Sequence, residues 1–254
     1  MPAVTFWEGV AVLLVGVFAG GINTVVGSGT LVTFPVLLAV GYPPVVANVS
    51  NSLGLVPGSV AGAIGYRAEL KGQLPRLLRF GTASLLGGVC GAILLLVLPP
   101  GAFEAIVPVL IVLALVLVVI QPWLSRKLAE RSGERHPHGG IGLLLAVFAT
   151  GIYGGYFGAA QGILLLAFMG ILMDEPLQRT NAIKNVLATI VNLTSGVLFI
   201  FIADVAWPAV VLIAAGATVG GLLGAKVGRK LSPAVLRGVI VLVGLAAIVQ
   251  LLLK

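Results

Sequence analysis

Apolar runs long enough to cross a bilayer recur along the whole of this chain, and they exclude most of the folds open to 254 residues. Segments 4–27, 45–66, 177–203 and 207–226 reach or pass the length of a transmembrane helix, about 20 mostly apolar residues for a hydrocarbon core ~30 Å thick. Composition agrees, with 9% of residues charged against about a quarter in a soluble globule. The expectation is an all-α polytopic membrane protein, with no stretch long and polar enough for a separate soluble domain.

The net charge of +7 does not point to nucleic acid. The basic residues cluster in short loops between spans, which is the positive-inside bias of membrane proteins. Cys90, the one cysteine, lies within a span and has no partner for an intramolecular disulfide. The N-terminus is apolar from Ala3 and lacks a basic leader, so the first segment reads as a retained span.

The segments fall into two sets of five. Residues 1–121 form an N-terminal membrane repeat with segments 4–27, 31–40, 45–66, 77–98 and 103–120. Residues 122–139 form a polar linker with Arg126, Lys127, Arg131, Arg135, His136 and His138. The C-terminal repeat, 140–254, holds segments 140–158, 163–173, 177–203, 207–226 and 234–253. Gly87, Gly88 and Gly91 stand 133 residues before Gly220, Gly221 and Gly224, and the same offset pairs Asn48 with Asn181, Asn51 with Lys184 and Ser52 with Asn185. Any two glycine-rich apolar chains align somewhere, but agreement in segment order, length, break position and polar cluster argues for a repeat.

Charge then gives orientation. In the first half the loop after the third segment is basic (Arg67, Lys71, Arg76, Arg79), and the loop after the fourth is uncharged. In the second half the loop after the eighth segment carries only Asp204, and the loop after the ninth carries Lys226, Arg229 and Lys230. Basic loops stay cytoplasmic, so equivalent loops lie on opposite sides and the repeats are inverted in topology. The short segments 31–40 and 163–173 then read as broken half-helices that start near the midplane, and both termini come out non-cytoplasmic.

Lys184 stands out within this frame. It lies eight positions past Pro176, about 12 Å into the membrane at ~1.5 Å per residue, where a charge costs about 2.5–3.5 kcal/mol and usually faces a cavity, partner or substrate. Inverted repeats with discontinuous helices place substrate near the midplane in secondary transporters. Half-helices starting at Ser28-Gly29-Thr30, after Gly27, and at Ala160-Gln161-Gly162 would aim unpaired N–H groups and positive dipole ends at an anion. Asn48, Asn51 and Ser52 share a helix face, as do Asn181, Lys184 and Asn185, so each helix could offer amide, hydroxyl or ammonium donors to one cavity. The plainer reading is helix packing. It is preferred outright for Gly54, Gly58, Gly62, Gly216, Gly220 and Gly224, but it explains Lys184 poorly, because structural lysines snorkel from helix ends. Arg179 is placed at the cytoplasmic mouth, paired with Glu175. The chain carries no nucleotide-binding fingerprint and no paired carboxylates in its spans, so neither an ATP-driven step nor a proton relay is visible, and no cofactor is expected.

The stretches GINTVVGSGTLVTFPVLLAVGYPP and VANVSNS, echoed by GIYGGYFGAAQG and RTNAIKNVLA, resemble the TauE/SafE (TSUP) sulfite exporter family of bacterial permeases over nearly the whole chain. The resemblance implies a multi-pass protein of the bacterial inner membrane that moves small, often sulfur-containing anions such as sulfite, thiosulfate or sulfonates. Two positions depart from the family pattern: the second break reads Ala159-Ala160-Gln161-Gly162 instead of a plain glycine run, and Lys184 stands where a small hydroxyl residue is usual. The resulting expectation is a secondary permease, not an enzyme, with the bilayer and a small anion as partners and room for a homo-oligomer. A permease for a non-sulfur organic anion and a non-transporting accessory protein are the alternatives.

Overall fold

The computed structural model describes residues 5–129, 139–227, 238, 240–245 and 248–249. Arg131, Arg135, His136 and His138 of the linker, and Arg229 and Lys230, lie outside the described residues. The described chain is all-helical: α1 Phe6–Val25, α2 Thr30–Ala39, α3 Pro44–Gly65, α4 Leu74–Val97, α5 Pro100–Ala129, α6 Gly140–Tyr156, α7 Gln161–Leu172, α8 Leu177–Ile202 and α9 Trp207–Val227. Described residues of the last expected segment are helical as well. Five helices (α1, α4, α8, α9 and Pro100–Trp123 of α5) are long and apolar enough to cross a membrane. The chain is an all-α polytopic membrane protein.

Local chemistry explains the boundaries. Thr5 and Glu8 form a capping box at the start of α1, satisfying two otherwise orphaned N–H groups. Proline at the first turns of α3 and α4 fits a place where no N–H partner is needed. Helix α1 stops because Gly27 turns left-handed at φ 87°, and α6 stops at Gly158 with φ 76°. At the second break Ala160 also takes a left-handed conformation, φ 59°, which an L-residue with a Cβ adopts at a cost of about 1–2 kcal/mol. Helix α5 runs on to Ala129, since the polar residues after Trp123 continue a helix as readily in water as the apolar ones do in lipid.

Helix association in lipid depends on close backbone approach at small residues, and the glycines supply it. A Cβ on Gly16 would fall 3.2 Å from Ile213, and one on Gly224 2.9 Å from Gly21, so α1 and α9 pack in parallel. Gly88 and Gly155 approach each other's backbones between α4 and α6, and Gly151 faces Gly87. The pairings come in matched sets: α1 with α9 and α6 with α4, α3 with α9 and α8 with α4, α1 with α2 and α6 with α7. Gly58 and Gly220, which the sequence assigns to packing, sit against Ala217 and Val17 respectively.

Helices α3 and α8 cross in opposite directions. Tyr66 just after α3, Ala182 early in α8 and Ala225 late in α9 form one small cluster. At the other end the Ala206 N–H, after α8, donates to Ser50 near the start of α3 at 2.9 Å. The basic stretch after α3 and the basic end of α9 therefore share a face of the molecule.

Candidate substrate site

The two helix breaks meet. The N–H of Gly162, in the first turn of α7, donates to the carbonyl of Gly27 at 3.1 Å. A Cβ on Gly162 would stand 2.5 Å from the Gly27 Cα and 2.9 Å from the Lys184 Cδ. Glycine is required on both sides of this contact.

A helix end leaves carbonyls without intrahelical donors. At the end of α1 the N–H groups of Val26 and Gly27 both turn back to the Ile22 carbonyl, and side chains of α8 take up the carbonyls that follow. Lys184 Nζ donates to the carbonyls of Asn23 at 2.8 Å and Thr24 at 3.1 Å. Asn181 and Asn185 donate through Nδ2 to the same Thr24 carbonyl at 3.2 and 3.3 Å. Lys184 is fully buried, at 0% exposure, and its stem lies along Gly162. The negative end of α1 is the polar environment of this side chain.

The other half repeats the turn with different chemistry. Phe157 and Gly158 turn back to the Tyr153 carbonyl, and Asn48 Nδ2 donates to the Tyr156 carbonyl at 2.9 Å. Asn51, which the offset matches to Lys184, accepts from the Thr33 hydroxyl and donates to Thr30 Oγ1 at 3.1 Å. The Ser52 hydroxyl donates to the Asn48 carbonyl at 2.9 Å.

All the side chains singled out from sequence are buried, but they form separate groups. Lys184, Asn181, Asn185, Gly27 and Gly162 adjoin one another. Asn51 and Thr30 make a second group, and Asn48 with Ser52 a third. Gly29 packs on the Ala19 carbonyl and Asn23. Ser28 Oγ, Gln161 Nε2, Asn181 Oδ1 and Asn48 Oδ1 are buried without a hydrogen-bond partner among the described residues, which leaves unused polar capacity around the breaks. Sequence reasoning missed Asn23 and Thr24, because main-chain acceptors carry no side-chain signature. Thr33 had a signal: it stands three residues after Thr30 on the same short helix.

At the face shared by the basic stretches, Glu175 makes an ion pair with Arg76 and a second with Arg179 at 3.1 Å. Arg179 also donates to the Lys71 carbonyl at 2.9 Å. Burial raises the Glu175 carboxyl, but the hydrogen bond from Arg76 and the charges of Arg76 and Arg179 outweigh it and hold the group below its ordinary value. The Glu175–Arg179 pair is the one expected from sequence. Arg76 is the addition, and it ties the start of α4 to the α7–α8 turn.

Two helix breaks that meet beside a buried lysine, within a bundle of membrane-crossing helices, define a membrane protein of the transporter class. The chain belongs to the sulfite exporter TauE/SafE family, whose pattern it matches over residues 12–251. Among curated relatives, the "Probable membrane transporter protein YfcA" of Escherichia coli K12 is 26% identical over 94% of this chain and 87% of its own length. A "Probable membrane transporter protein" of Haemophilus influenzae is 26% identical over 90% of this chain and 88% of its own length, and "ORF9" of Sinorhizobium sp is 27% identical over 95% and 92%. No solved structure matches the chain. Family and relatives alike indicate a membrane transporter.

Proposed function

We propose that the chain is a secondary permease that carries small oxyanions, sulfur-containing ones such as sulfite or organosulfonates, across the bacterial inner membrane by alternating access. The observation that carries this reading is Lys184, wholly buried and, among the described residues, bonded to main-chain carbonyls alone at a helix break. A buried amine that can take up a charge, with no carboxylate partner among the described residues, is matched to an anion that comes and goes. Asn181 and Asn185, already beside it, supply amide donors to oxyanion oxygens, and Ser28 and Gln161 have capacity to spare. Asn51 with Thr30, and separately Asn48 with Ser52, are the corresponding polar groups in the other half. Opposite crossing of α3 and α8, together with the matched helix pairings, supports two inverted-topology repeats that rock against each other.

The test is flux in proteoliposomes with labelled sulfite and methanesulfonate. Lys184→Ala is expected to lose at least tenfold in initial rate while remaining monodisperse in detergent. Wild-type rates in that variant would remove Lys184 from the site. A parallel thermal-shift screen of sulfur oxyanions and non-sulfur carboxylates separates the two substrate classes by which of them stabilises the protein.

A further inference from the structure

The permease reading leaves open what drives the anion, and the donor count at Lys184 bears on it. Two carbonyls, of Asn23 and Thr24, take the hydrogen bonds of Nζ. A neutral amine has two N–H donors and an ammonium has three. The two acceptors thus match the donors of the neutral form, whose lone pair stays free, and leave the charged form with one N–H unused. Among the described residues no ionised group compensates it. Tyr66, Arg67, Glu69 and Lys71 after α3, Arg76, Arg79 and Cys90 on α4, Tyr153 and Tyr156 on α6, Asp174 and Glu175 before α8, Arg179 on it, Asp204 after it and Lys226 at the end of α9 are the titratable or charged groups on the neighbouring elements, and the hydrogen bonds of Nζ go to none of them. Helix α7 contributes Gly162, apolar neighbours and the uncharged Gln161, and the acid of α1, Glu8, bonds to Thr5 at the far end of that helix.

We infer that Lys184 is the proton site of a proton–anion symport. The empty carrier occludes with a neutral amine on the two carbonyls of α1. On the loading side one proton from water joins the Nζ lone pair, and the anion accepts the third N–H so created. On the release side the anion leaves, the proton returns to water, and the two-donor arrangement re-forms. Each species raises the affinity for the other by the same factor. With a monovalent anion no net charge crosses. The missing carboxylate relay in the spans is then no obstacle, because the lysine carries the proton itself.

This inference rests on the permease reading, and two arms of one experiment separate them. The full chain is reconstituted with internal pyranine and offered methanesulfonate, which stays ionised throughout, so any pH effect belongs to the protein. Exchange of labelled for unlabelled anion at equal pH tests the permease. Uptake against an imposed pH difference, with the membrane potential clamped at zero, tests the proton. Symport predicts accumulation rising by about tenfold per pH unit, acid outside, with one proton reported by pyranine per anion. Lys184→Arg, which cannot shed its charge at these pH values, is expected to lose that accumulation. Exchange without any response to the gradient would overturn the symport and leave the permease standing. Absence of exchange in the wild type would overturn both.

Discussion

At the scale of single residues the molecule depends on places where nothing larger than a hydrogen fits. Gly162 is the sharpest of these, since an added methyl meets backbone on one side and the Lys184 stem on the other. Overpacking of this kind costs about 1–3 kcal/mol. Gly162→Ala is therefore expected to lower the melting temperature in detergent and to cut anion flux. Gly142→Ala, where the methyl meets nothing within 4 Å, is expected to hold or raise stability, because alanine is the better helix former by about 1 kcal/mol. Equal melting temperatures for the two variants would mean that the α1–α7 contact is not tight. The glycine-rich breaks were legible in the sequence because left-handed turns select glycine. The partners of Lys184 were not, because a carbonyl at a helix end belongs to every residue type alike. The sequence pointed to a lysine in need of an anion; the fold answers with the negative end of a helix.

At the scale of elements the boundaries could be read closely from hydropathy and proline. The short α2 and α7, the proline-led starts of α3 and α8 and the polar first turns of α3 and α8 fall within two residues of where the pattern placed them, whereas α4 starts three residues early, at Leu74, and takes up Arg76 and Arg79 from the expected basic loop. Contacts between distant elements were less legible, because a long side chain at an element's end reaches across the fold without leaving a periodicity. Arg76 is the case in point, 99 residues from Glu175 in sequence. The Glu175 carboxyl is held down in the folded protein, so its contribution to stability is complete above its unfolded value of about 4.3. That contribution is lost as pH falls from there through the lower folded-state value. Glu175→Gln should accordingly melt below wild type at pH 7, with the gap narrowing as the solution is acidified past pH 4. A gap that stays constant between pH 7 and pH 3 would show that the carboxylate does not link α4 to α8 electrostatically.

At the scale of the whole molecule, the sidedness of the loops decides whether the two halves form one transport device. The sequence argument rested on charge bias alone, and Arg229 and Lys230 lie outside the described residues. Packing supplies an independent line. Gly65 at the end of α3 lies against Ala225 near the end of α9, and the Tyr66, Ala182 and Ala225 cluster closes the same end. Arg67 and Lys226 therefore emerge on one face, while the Ser50–Ala206 contact marks the opposite one. With basic loops retained in the cytoplasm, single cysteines at Arg67 and Lys226 in a Cys90→Ala background should both resist an impermeant maleimide in intact cells and react after permeabilisation. A cysteine at Asp204, in the loop after α8, should react from outside. If Arg67 and Lys226 label from opposite sides, the halves cannot be inverted copies about a plane in the membrane. The two breaks could then no longer present equivalent ends to a shared site, and rocking of one half against the other would cease to be a route for the anion.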